Sequence, residues 1–143
     1  MPTRTAEAVW NGSLLEGKGQ ISLGSKALTG AAYDWRGRSG DGAGTNPEEL
    51  LGAAHAGCFS MALSHELAQA GHAPTQVHTT AKVVFDKKGE GFAITRIDLV
   101  SEAKVPGLDD AAFQKFAKGA KENCPVSKAL SAMPITLDAK LVS

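Results

Sequence analysis

Hydrophobic and polar positions change period several times along the chain, and each change marks an element. Two short strands are expected over Thr5 to Trp10 and Gln20 to Leu23 within a stretch of strands covering about 4–29, with Asn11-Gly12 as a hairpin turn signal. A polar glycine-rich stretch, Trp35-Arg36-Gly37-Arg38-Ser39-Gly40-Asp41-Gly42-Ala43-Gly44, reads as a loop over about 34–45; it lacks the lysine and spacing of a phosphate-binding loop. The sharpest local signal follows. In Thr45-Asn46-Pro47-Glu48-Glu49 the asparagine suits an N-cap, the proline the first helical position, and Glu49 the capping-box position. A helix is expected over about 47–70, stopping at Gly71. Its middle, Leu50 to Leu63, is apolar or small nearly all round, which predicts burial on every side.

Two long strands are expected over about 76–105, with a turn at Lys87 to Gly91. In the second, Ala93, Thr95, Ile97, Leu99, Ser101, Ala103 and Val105 alternate with more polar residues, the period of a half-buried strand. A helix over about 109–122 places Phe113, Phe116, Ala117 and Ala120 on one side and Lys115, Lys118 and Lys121 on another. The chain breaks at Cys124-Pro125, resumes as a short helix, breaks at Pro134 and ends in a strand over about 135–142. The expected class is α+β: a single domain over 1–143, with mostly antiparallel sheet around a buried central helix.

Composition narrows the function. The chain has 143 residues, fifteen basic and fifteen acidic side chains and no formal net charge, so the basic excess of a nucleic-acid groove is missing. With 43% hydrophobic and 21% charged residues, it has the makings of a folded core and not of a disordered segment. No apolar run is long enough to span a membrane, and Arg4 is not followed by the apolar stretch of a signal peptide; a cytoplasmic location is expected.

The only two cysteines, Cys58 and Cys124, are too few for a disulfide scaffold or a metal ribbon. Cys58 falls mid-helix among apolar residues, where a cysteine is often just a small hydrophobe. Cys124, before Pro125, falls at an N-cap, where backbone N–H groups favour an anion. An ordinary thiol, with a pKa of about 8.5, is only roughly 3% thiolate at pH 7, and burial lowers that further. A reactive Cys58 therefore needs a cation. The nearest candidates are Arg36 and Arg38; a carboxylate such as Glu48 could hold one of them in a fixed geometry. His55, three residues before Cys58, suggests a cysteine hydrolase, but no strained nucleophile turn accompanies it. A zinc site through His55 and Cys58 lacks a second closely spaced ligand pair.

The run Gly44 to Leu63 (GTNPEELLGAAHAGCFSMAL), together with Gly91-Phe92-Ala93-Ile94-Thr95 and Cys124-Pro125-Val126-Ser127, resembles the OsmC/Ohr family over essentially the whole chain. The resemblance implies an OsmC-like fold in an intertwined homodimer. It implies thiol-dependent reduction of organic hydroperoxides, with a dithiol, favoured on lipoylated partner proteins, as reductant and no metal or other cofactor. By the same resemblance Cys58 is the peroxidatic cysteine, Cys124 the resolving cysteine and Glu48 the carboxylate of an Arg–Glu pair. Ungapped alignment on Tyr33 and Gly44-Thr45-Asn46-Pro47 puts Arg38 at the arginine position, with Arg36 close by. Phe59 and Met61 are expected to wall an apolar substrate pocket. Glu48 and Cys58 are ten residues apart on one helix, so about 15 Å apart along its axis, which predicts sites shared between two subunits. A redox sensor and a non-catalytic dimeric stress protein are the alternative readings.

Overall fold

The Asn46 side chain accepts a hydrogen bond from the Glu49 N–H at 2.7 Å, and from this cap a helix runs unbroken over Pro47–Gln69. It is the second helix, α2, of a computed structural model that describes residues 1–142. The chain divides into two compact units between Leu50 and Leu51, so the first turn of α2 belongs to one unit and the remainder to the other.

In the first unit, β1 (Ala6–Asn11), β2 (Lys18–Leu23) and β3 (Ala31–Tyr33) form an antiparallel sheet in that order. The stretch expected as a loop over 34–45 contains a short helix, α1 (Trp35–Ser39), capped by Asp34, whose carboxylate accepts from the Gly37 N–H at 2.8 Å. Its glycines and arginines gave no apolar period, so only the Asp34 cap signalled it. Gly44 (φ 99°) then turns the chain back: a Cβ there would lie 2.6 Å from the Ala32 carbonyl oxygen, and Thr45 donates its N–H to that oxygen at 2.8 Å.

In the second unit, β4 (Gln76–Lys88) pairs antiparallel with β5 (Gly91–Lys104), with an irregularity at Val84/Phe85. Helices α3 (Asp110–Asn123) and α4 (Pro125–Ala129) lead to β6 (Ile135–Val142), which lies parallel to β5. The sheets are mostly antiparallel, as expected, with β6 beside β5 as the parallel strand. The helical crossover permits a parallel return, and strand alternation carries no information on direction. Phe59, Leu63 and Leu67 of α2 pack into one core with Ile97, Leu99 and Ala103 of β5 and Phe113, Ala117 and Ala120 of α3.

Helix α2 also departs from expectation. Gly52, His55, Phe59, Leu63 and Leu67 make its buried face, while Ala53, Gly57, Met61 and His65 form an exposed stripe on the other side. Within the chain the helix is covered on one side only, although the exposed side begins with small and apolar residues. Among the described residues no helix is long and apolar enough to cross a membrane.

Candidate active site

The first unit assembles an ion pair. Arg38, in the last turn of α1, donates from Nε to Glu48 Oε1 at 2.9 Å; the Arg38 side chain is 35% exposed and that of Glu48 8%. Glu48 Oε2 is buried and accepts no hydrogen bond. Glu48 lies in the first turn of α2, where the helix N-terminus stabilises its charge. Arg36, two residues earlier on α1, is exposed to solvent. The arginine held by Glu48 is thus Arg38.

Beside Arg38, a cleft of about 210 Å³ is lined by Trp10, Leu14, Tyr33 and Trp35, with Asp34 and Pro47 completing it. Trp10 and Tyr33 meet with ring centroids 5.2 Å apart. A cleft with apolar walls and one guanidinium suits a small molecule that carries an apolar group and a polar oxygen function.

The second unit brings the two cysteines together from α2 and from the junction of α3 and α4. Both are unbridged, and each thiol acts on the ionisation of the other. Cys58 is half-buried and packs against the core, whereas Cys124 is fully buried. Burial pushes the Cys58 thiol up; the Val126 N–H partly opposes this, while Cys124 beside it adds to the rise. Among the described residues, the groups named as acting on it, Val126 and Cys124, carry no positive charge. Burial also works against ionisation of Cys124, but the Ser127 N–H, the Cys58 thiol, the Ser127 hydroxyl and the Val126 N–H together outweigh it and leave Cys124 below the ordinary thiol range. These N–H groups act on Cys124 although no regular side-chain cap closes on α4.

A model of the family described as OsmC-like protein matches residues 40–139. Peroxiredoxin OsmC of Escherichia coli (strain K12) is 49% identical over 140 residues, covering 98% of this chain and 97% of that protein. The chain belongs to the OsmC family. Among solved structures, OhrB of Bacillus subtilis, an organic hydroperoxide resistance protein, is 25% identical with a TM-score of 0.68, covering 96% of this chain and 98% of that one. An OsmC-like protein of Mycoplasma pneumoniae, 15% identical with a TM-score of 0.77 over 99% of both chains, shares the fold.

Within this member of the OsmC family, the structure pairs Arg38 with Glu48 in one unit and Cys58 with Cys124 in the other. The structure places Phe59 and Met61 on opposite sides of α2. Phe59 is wholly buried among the core side chains, where it offers no face to a substrate, and Met61 is 75% exposed on the outer stripe of α2. Neighbouring positions on a helix point in different directions, so proximity to Cys58 in sequence was a poor guide. The aromatic cleft instead draws on four separate segments, which no local motif reveals. Also unforeseen is a buried contact: His55 Nε2 lies 2.7 Å from Ser127 Oγ. Ser127 closes the run Cys124-Pro125-Val126-Ser127, and its place three residues past an N-cap was the available signal. Among the described residues, no group of three or more His, Cys, Asp or Glu side chains gathers to hold a metal ion.

Proposed function

We propose that this protein is a thiol-dependent peroxidase that reduces organic hydroperoxides to alcohols. The observation that carries the reading is that a half-buried and a fully buried thiol from positions 66 residues apart, both unbridged, act on each other's ionisation. The named activity of its relative peroxiredoxin OsmC supports it. The Cys58 thiolate attacks one peroxide oxygen; the O–O bond breaks, an alkoxide leaves and takes up a proton, and Cys58 becomes a sulfenic acid. Cys124 then attacks the Cys58 sulfur, the S–O bond breaks, and water departs once the leaving hydroxide is protonated. The resulting disulfide is reduced by thiol exchange with an external dithiol, of the lipoyl type by family resemblance. Such a cycle suits the cytoplasm, where disulfides are reopened.

Cys58 is raised by burial, so its ionisation calls for a cation. We assign this to Arg38, held by Glu48, of the partner subunit in a homodimer. The ten-residue helical spacing between Glu48 and Cys58 supports a shared site, and the small exposed residues Ala53 and Gly57 on α2 permit a second helix to cross closely. Arg38 would also stabilise charge developing on the peroxide oxygens, and the cleft of Trp10, Leu14, Tyr33 and Trp35 would take the organic group.

The test is steady-state consumption of cumene hydroperoxide with dihydrolipoamide as reductant. Wild-type protein should turn over continuously. Cys58→Ser should consume nothing, and Cys124→Ser should complete one fast turnover and accumulate sulfenic or sulfinic acid. Loss of the first oxidation in Cys124→Ser alone would reverse the two roles.

A further inference from the structure

The cycle proposed above does not use His55, yet His55 is wholly buried one turn from Cys58, and its Nδ1 has no hydrogen-bond partner. Its Nε2 lies 2.7 Å from Ser127 Oγ. The Ser127 hydroxyl in turn acts on the Cys124 sulfur, as does the Ser127 N–H. Four groups therefore follow one another through the interior: His55, Ser127, Cys124 and Cys58. Burial holds His55 below its ordinary range, so the ring is neutral and carries one proton. Buried N–H groups without partners are rare, which places the proton on the paired nitrogen, Nε2, and leaves the lone pair of Nδ1 bare. Nε2–H then donates to Ser127 Oγ. With its oxygen accepting from histidine, the serine hydroxyl points its own hydrogen at the sulfur. Such chains strengthen one another in a low-dielectric interior.

We propose that His55 is a positioning residue for resolution: acting through Ser127, it holds a hydroxyl hydrogen on the Cys124 sulfur and so stabilises the thiolate that closes the disulfide on Cys58. The inference rests on the peroxidase reading for its role in the cycle, while the chain itself rests on the 2.7 Å His55–Ser127 contact and on the action of Ser127 on the Cys124 sulfur. Full burial of Cys124 supplies the complement, since a thiolate closed to solvent meets no peroxide and reacts only with its neighbour. In that step the Cys124 thiolate forms the S–S bond, the Cys58 S–O bond breaks, and hydroxide leaves to become water with the proton Cys124 gave up on ionising. Of titratable groups, Cys58 and His55 face this chain from α2. Glu122 and Lys128 are exposed, Lys121 and Glu66 partly so, and His78 and Lys82 of β4, Arg96, Glu102 and Lys104 of β5, and Asp138 and Lys140 of β6 point outward.

The experiment has two arms. In a Cys58→Ser background, thiolate absorbance near 240 nm follows ionisation of Cys124 without peroxide chemistry. Adding Ser127→Ala or His55→Leu should move the midpoint up by about one pH unit, the effect of losing one hydrogen bond to a charged group. His55→Gln, which keeps an N–H donor at similar reach, should restore much of the shift. An unmoved midpoint in Ser127→Ala overturns the proposal, and Ser127→Ala decides alone should His55→Leu fail to fold. In the second arm, with both cysteines present, one equivalent of cumene hydroperoxide is added and samples are quenched by alkylation and weighed by mass spectrometry. In Ser127→Ala, sulfenic acid should form at the wild-type rate while disulfide closure slows about tenfold at pH 7 and recovers at high pH. Slowing by the same factor at every pH indicates a merely structural role and overturns the proposal. Wild-type protein that forms no sulfenic acid refutes the peroxidase reading, and the titration arm still tests the chain.

Discussion

Removing Arg38 should destabilise the protein through the carboxylate it leaves behind, and a second substitution should largely repair the damage. Glu48 is 6% exposed, its Oε2 already lacks a partner, and its Oε1 receives Arg38 Nε at 2.9 Å. Losing one partner of a fully buried pair costs about 3–5 kcal/mol. Here the arginine is one-third exposed and the start of α2 stabilises the remaining charge, so about 1–3 kcal/mol is expected for Arg38→Ala. For a chain of this size that lowers Tm by about 3–9 °C. Glu48→Gln removes the charge and should cost about 1 kcal/mol on its own, mainly through lost pairing and lost helix-terminus stabilisation. The double variant Arg38→Ala/Glu48→Gln has no stranded charge, so its loss should fall short of the sum of the single losses by about 1–2 kcal/mol. Urea unfolding of the four proteins measures this coupling, and hydroperoxide consumption measured in parallel should stay low in the double variant although stability returns. Additive stability losses, or activity that returns with stability, would refute the reasoning.

Apart from its chain neighbours and the adjoining helix backbone, no described atom lies within 4 Å of where a Cβ on Gly57 would stand, so Gly57→Leu should leave the chain folded. If α2 crosses a partner's helix there, the same change should halve the mass measured by light scattering; an intact dimer would count against that interface. The pH dependence of folding follows from His55, whose folded pKa is lowered by burial. Above about pH 6.5 the ring is neutral in both states and stability is full; below it the unfolded chain binds a proton that the folded chain does not, and stability falls by at most about 1.4 kcal/mol per pH unit. His55→Gln should flatten that slope in urea unfolding between pH 7 and 5. Mixed dimers of Cys58→Ser chains with Arg38→Ala/Glu48→Ala chains should regain about half the wild-type activity per dimer if each site draws on both subunits. Activity no better than that of the parents would place the arginine and the thiol in one chain.

The elements were largely legible because their signals are local. Asn46-Pro47 and Asp109 mark helix starts by side-chain chemistry, and the alternation around Ile97, Leu99 and Ser101 marks a strand with one buried face. The direction of β6 was hidden, since alternation is the same for parallel and antiparallel pairing. The short helix α1 was hidden by its glycines. The Arg38–Glu48 and Cys58–Cys124 pairings were expected on resemblance and not on pattern; Arg38 lies 2.9 Å from Glu48, and the two thiols act on each other's ionisation. The His55–Ser127 contact spans 72 positions and rests on how α2 and α4 pack, a long-range fact that periodicity does not encode. Phe59 in the core and Met61 on the exposed stripe show a related limit of pattern: being near Cys58 in sequence says little about which way a helical side chain points.

The most direct measurement of the central claim is a count of free thiols before and after one equivalent of cumene hydroperoxide, with the oxidised protein weighed intact under denaturing, non-reducing conditions. The account predicts that both thiols of each chain disappear together and that the mass corresponds to a single chain bridged between Cys58 and Cys124, restored by a dithiol. Thiols that survive the hydroperoxide, or a disulfide that links two chains instead, would contradict it.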